Sequence, residues 1–167
     1  MDVSRTLLLL ALASASSAAV AADAESTPPA PSVFVKKAAL DGMTEVEAGK
    51  VALAKSQDKE VRNFAQRMVT DHGKANAELE SLAKAKGLTA PKQLDPEHEA
   101  MVNSLKTKSG ADFDRAYAEH MNMDHSKAIA LFESATKSND AQLAQFAQKT
   151  LPTLKEHKEL AQKLPGN

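Results

Sequence analysis

Along most of the chain apolar residues recur at spacings of three and four, the period of a helix with one buried face. Val61, Phe64, Ala65, Met68, His72, Ala75, Leu79 and Leu82 form one such stripe, and Leu143, Ala147, Thr150, Leu154, His157, Ala161 and Leu164 form another. The pattern predicts five helices. The first covers about 32–55 and ends near Ser56-Gln57; Asp58 N-caps a second that runs to Lys86, where Gly87 offers a C-cap. A short third helix runs from Pro96 to about Lys108 with Asp95 as its cap, and Ser109-Gly110 closes it. The fourth covers about 111–137. The fifth is capped by Asp140 and continues to Leu164, with Pro152 inside it as an expected kink.

A repeat organises these elements. Lys55-Ser56-Gln57-Asp58, Val61 and Phe64-Ala65-Gln66-Arg67 return 82 residues later as Lys137-Ser138-Asn139-Asp140, Leu143 and Phe146-Ala147-Gln148-Lys149. Each copy is a helix end, a turn with a capping Asp and the start of the next helix. Two helical hairpins joined by a connection over 88–110 predict an all-α fold, a ferritin-like four-helix bundle whose crossover carries a short extra helix.

Composition narrows what such a bundle does. With 21 basic against 22 acidic side chains, nothing supplies the positive surplus that nucleic acid requires. The absence of cysteine excludes disulfides, thiolate ligands and a catalytic thiol. Arg5, the apolar run Leu7 to Ala13 and the small residues Ala19-Val20-Ala21-Ala22 read as a cleaved signal peptide over 1–22. A Pro-rich leader, 23–31, then precedes the bundle domain at 32–165. No later run of apolar residues is long enough for a membrane span, so the reading is export to the periplasm.

The stripes contain histidines where leucines would serve. His72 and His157 occupy core slots on the second and fifth helices. On the fourth, Met121, His125, Ala128 and Phe132 share a face, with Phe113, Tyr117, His120 and Asp124 on the adjoining strip, so at least one of His120 and His125 points inward. The first helix presents either Phe34, Ala38, Asp41, Glu45 and Ala48 or Val35, Ala39, Met43, Val46 and Leu53. The first choice brings in Glu45. If the crossover makes the second and fourth helices parallel, His72 lies 14 residues from Asp58 and His125 14 from Ala111, one level in the bundle. Glu45 and His157 fall near it. Imidazoles with a carboxylate suit a divalent transition metal, zinc, iron or copper. An interior histidine that is merely hydrogen-bonded packing is the competing account.

Each of the five histidines also follows an acid in sequence, but helix neighbours point about 100° apart, so those acids belong behind the rings or in solvent. His98, on the connection, is expected to be exposed. His120-Met121-Asn122-Met123-Asp124-His125 gathers two thioethers and two imidazoles suited to copper. The Glu-x-x-His pairs of di-iron bundles do not occur, and no hydrolase, nucleotide or metalloprotease motif is present, so no enzymatic activity is read.

Gly42-Met43-Thr44-Glu45-Val46-Glu47-Ala48-Gly49-Lys50, Phe64 to His72, Phe113-Asp114-Arg115-Ala116-Tyr117 and Thr150 to His157 resemble the bacterial domain of unknown function 4142 over about 33–164. The resemblance implies an exported ferritin-like bundle without established activity, commonly labelled an outer membrane protein. It also implies a pattern that includes Glu45, His72, His125 and His157. Two function classes stay open: a periplasmic bundle that binds a metal or small ligand, or a non-catalytic envelope module, structural or stress-related, that packs its histidines and meets a protein partner.

Overall fold

The computed structural model describes residues 27–165, so the signal peptide expected over 1–22 and the first part of the expected leader lie outside the described residues. Five helices follow in order: α1 (Pro31–Lys55), α2 (Lys59–Ala85), α3 (Pro96–Lys106), α4 (Gly110–Ala135) and α5 (Ala141–Ala161). The described residues contain no strand, and none of their helices is long and apolar enough to cross a membrane. α1 starts at Pro31, one residue earlier than expected, because proline fits the first helical position, whose N–H is unbonded anyway. α5 stops at Ala161, three residues before the expected Leu164. The chain tightens there into turns, with Leu164 N–H donating to Ala161 O at 3.2 Å, and this keeps Leu164 buried.

The caps are local chemistry. Asp58 accepts from the N–H groups of Glu60 and Val61 at 2.8 and 3.0 Å, and Asp140 from those of Gln142 and Leu143 at 3.1 and 3.2 Å. α2 ends on Gly87 at φ 67°, with Leu88 N–H returning to Ala83 O at 2.9 Å.

α1 packs along α2 and α4 along α5, while α1 also touches α4 and α2 touches α5. Lys55, at the end of α1, donates to the carbonyls of Lys106 and Lys108, which places the start of α4 at the same end of the bundle as the start of α2. Lys86, just past α2, pairs with Asp140 at 2.7 Å, which places the start of α5 at the other end. α2 and α4 therefore run parallel and every adjacent pair runs antiparallel. This is the crossover four-helix bundle that the sequence predicts, with α3 lying on the connection against α1 and α4.

The core has two apolar clusters. Phe34, Leu79, Phe132, Phe146 and Leu154 belong to one, and Phe64, Met68, Phe113, Tyr117 and Met121 to the other. α1 buries both of its possible faces in its first turns, Phe34 and Ala38 with Val35 and Ala39, and from there on the first face turns inward: Glu45 and Ala48 are buried, whereas Asp41, Met43, Val46 and Leu53 are half-buried. Two glycines let α1 approach α2 closely. A Cβ on Gly49 would stand 3.1 Å from the backbone oxygen of Ala65, and one on Gly42 only 2.3 Å from Asn76 Oδ1. Glu45 lies between them.

Candidate metal centre

His72, His125, His157 and Glu45 are buried in one layer of the bundle, at most 6% exposed. The ring centroids of the three histidines form a nearly equilateral triangle with sides of 5.3, 5.4 and 5.5 Å. One ring nitrogen from each lies within 4.8 Å of the other two. α2, α4 and α5 each supply one ring, and α1 supplies the carboxylate. Phe64 supports the rings, its centroid 6.4 Å from both His125 and His157.

One nitrogen of each ring is held by an oxygen. His72 Nδ1 lies 2.9 Å from Glu45 Oε2, His125 Nδ1 2.8 Å from the Met121 carbonyl, and His157 Nε2 3.0 Å from Asp71 Oδ2. Carboxylates and carbonyls only accept, so in a neutral ring these nitrogens carry the proton and the opposite ones keep a lone pair. Those opposite nitrogens, His72 Nε2, His125 Nε2 and His157 Nδ1, are buried and have no hydrogen-bond partner. Glu45 Oε1 is also without a hydrogen bond, 3.3 Å from His125 Nδ1.

The electrostatics are uneven around the triangle. Burial alone would raise the Glu45 carboxyl, but His72 and His125 outweigh it and hold it at about 2. Burial would lower His72, and the Glu45 carboxylate beside it overcomes this and raises it. His157 is pushed down to about 4, by burial first and then by the charge of His72, with Asp71 opposing.

The four residues singled out in the sequence are thus neighbours, but in unlike roles. The three rings share the centre, and Glu45 stands behind His72 and His125. His120 and His125 are both buried, in keeping with the expectation that at least one of them points inward, and His125 alone of the two joins the triangle. His120 lies 3.0 Å from Asp124 Oδ2, one turn further along α4, and burial pushes it down to about 4. His98 is not exposed as expected. Its side chain is 17% exposed, because Nδ1 packs 2.6 Å from Asp95 Oδ1 and Nε2 3.4 Å from Asp41 Oδ1. Asp71 was not singled out by the sequence. It precedes His72, yet it serves His157 on another helix, and its only sequence signal was its place beside a core histidine.

Among proteins with curated descriptions, no relative matches the chain. The fold is similar to the crystal structure of a DUF305 fragment from Deinococcus radiodurans, with a TM-score of 0.71 at 18% identity, over 81% of this chain and 95% of that one. A family model described as "Domain of unknown function (DUF4142)" matches residues 15–164. With nearly the whole length matched, the chain belongs to the DUF4142 family.

Proposed function

We propose that the protein binds a transition metal ion through His72 Nε2, His125 Nε2 and His157 Nδ1. The observation that carries this reading is the set of three buried lone-pair nitrogens without a partner in one layer. Desolvating such acceptors without compensation costs free energy, and a cation shared among them offsets that cost. Glu45, Asp71 and the Met121 carbonyl fix ring orientation and tautomer from behind, the usual support of metal-bound imidazoles. Neutral imidazole donors suit zinc, copper or iron. The Glu45 carboxylate contributes charge balance rather than a ligand atom. Export through the N-terminal segment would put this binding function in the periplasm, with association at the outer membrane a further step.

Thermal unfolding of untagged protein with and without Zn²⁺, Cu²⁺ or Fe²⁺ tests the reading. His157→Leu is the informative variant, because the Asp71 it leaves behind is partly exposed to water, whereas His72→Leu strands the buried Glu45 carboxylate. Metal at a hundredfold excess over its Kd should stabilise the wild type by about 2.7 kcal/mol. His157→Leu should fold and show no such rise. Curves unchanged by metal in both proteins would reject the centre and leave a metal-free interaction module.

A further inference from the structure

The three-histidine layer is enclosed, so a cation must cross the bundle wall to reach it. The walls are not alike. A cavity of about 20 Å³, room for a single water, adjoins the layer and is lined by Glu45 and His72 together with Asp41, Gly42 and Asn76. Asp41 lines a second space as well, an open groove of about 280 Å³ between α1, α3 and α4. Three carboxylates, Asp41, Glu97 and Asp124, line that groove with His98, against Lys37 and Lys127.

Asp41 is one turn before Glu45 on α1, a rise of roughly 6 Å. Its half-exposed carboxylate is held from the groove side by His98 Nε2 at 3.4 Å, a long and weak contact. On the inner side stands Glu45 Oε1, 2% exposed as a residue and without a hydrogen bond. A cation released by Asp41 therefore enters a cavity shared with the buried Glu45 carboxylate, whose Oε1 has only a 3.3 Å contact with His125 Nδ1, and with His72.

The other two approaches are less favourable. Asp71 reaches His157 from solvent, but it touches Nε2, the wrong side of the ring, and Arg67 lies over it with Nε 4.0 Å from Asp71 Oδ2 and a guanidinium nitrogen 2.8 Å from Glu156. Lys37 and Lys127, the latter 3.7 Å from Asp124, put positive charge in the favoured groove too, so what separates the two approaches is that Asp71 leads to the occupied nitrogen of its ring whereas Asp41 lines the cavity beside Glu45 and His72. Asn76 borders a groove that holds Glu47 and Glu99 as well as Lys92, but the residue this groove shares with the inner cavity is the neutral amide of Asn76, seated against Gly42, and not a carboxylate.

We propose that a metal cation is drawn into the groove between α1, α3 and α4 and passed across the wall by Asp41, which hands it to Glu45 and the three histidines. The proposal rests on the metal reading above and adds the route and the residue that governs it. Asp41 is a positioning residue for uptake and is not part of the final ligand set.

Co²⁺ is the probe, because its weak visible absorption in water shifts and intensifies when imidazoles bind it in a site of lower coordination. Stopped-flow mixing with the full chain gives the loading rate, and the final spectrum gives the occupied site. Asp41→Asn should slow loading about tenfold, within the range of electrostatic steering, and should reach the wild-type final spectrum and stoichiometry. Raising the salt concentration should slow the wild type and leave the variant almost unaffected. Glu97→Gln, at an exposed groove position, should slow loading about twofold, and this keeps the route testable if Asp41→Asn misfolds. Glu47→Gln, at a half-exposed position in the groove beside Asn76, should load at the wild-type rate. Wild-type rates in Asp41→Asn and Glu97→Gln, equal slowing by Glu47→Gln, or loss of the final spectrum in Asp41→Asn would each overturn the route while Co²⁺ binding in the wild type stands. A Co²⁺ spectrum unchanged by the wild-type protein would overturn the metal reading itself, and the route with it.

Discussion

In the first hairpin Ser56 Oγ accepts from the Asp58 N–H at 3.1 Å and Asp58 caps α2; in the second Ser138 Oγ accepts from the Asp140 N–H at 3.2 Å and Asp140 caps α5. The turns are the same device used twice. The chemistry they lead to is not repeated. Shifted by the 82 residues between Asp58 and Asp140, His72 falls on Leu154, His157 on Ala75, Glu45 on Lys127 and His125 on Met43. Each hairpin therefore brings its own polar residues to the shared layer, and the second reaches it one turn further along its helix. Local folding signals have been kept in both halves, while the centre arises only from how the halves dock.

The largest effects should separate the paired aromatics Phe64 and Phe146. Both are 4% exposed, and truncation of either to Ala should cost about 3–5 kcal/mol in denaturant unfolding. Phe64 lies against His125, His157 and Tyr117, whereas Phe146 lies against Phe34 and Phe132. Phe64→Ala should therefore also weaken Co²⁺ affinity at least tenfold, and Phe146→Ala should change it less than threefold. Equal affinity losses would break the distinction.

A pH titration of the metal-free protein should sharpen it next. In the second hairpin His120 and His157 are held at about 4, so between pH 6.5 and 4 the unfolded chain takes up protons that the folded chain refuses. Asp124, beside His120 and pushed up to about 6 by burial, takes up a proton in the same window and offsets part of this, so the net fall in stability as pH drops through it should be a few kcal/mol. His72 of the first hairpin acts in the opposite sense: held up, it contributes stability that is full below pH 6.5 and lost as pH rises through its folded value. His157→Leu should thus flatten the fall in Tm between pH 7 and 4.5, and an unchanged slope would refute the assignment.

The smallest expected difference concerns the caps. Asp58→Ala and Asp140→Ala should each cost about 1 kcal/mol. Asp140→Ala should cost about 0.5 kcal/mol more, because Asp140 also pairs with Lys86 at 2.7 Å and ties the second hairpin to the first. Equal losses in chemical denaturation would mean that this tie is worth nothing.

Much of the molecule was legible along the chain. The helix starts at Asp58, Asp95 and Asp140 could be read because an N-cap bonds only to residues two or three ahead of it. His72 and His157 could be placed inside because their stripes have a single apolar face. α1 was ambiguous for the same reason: both of its faces carry apolar residues, and only docking chose the one with Glu45. The glycines that set its approach to α2 take their meaning from Asn76 and Ala65 on the other helix. The partners of the rings were hidden altogether. Asp71 points about 100° away from the His72 beside it and reaches His157, which is 86 residues distant.

Sequence by itself determined the helices, their capped turns, the crossover bundle and the presence of histidines on buried stripes, because each of these depends on periodicity or on bonds a few residues long. Tertiary structure decided which face of α1 is buried, that His125 rather than His120 completes the triangle, and which nitrogen of each ring is left with a free lone pair. Those outcomes depend on oxygens from Glu45, Met121 and Asp71 meeting the rings at hydrogen-bond distance, and for Glu45 and Asp71 that distance is set by packing between helices far apart in the chain.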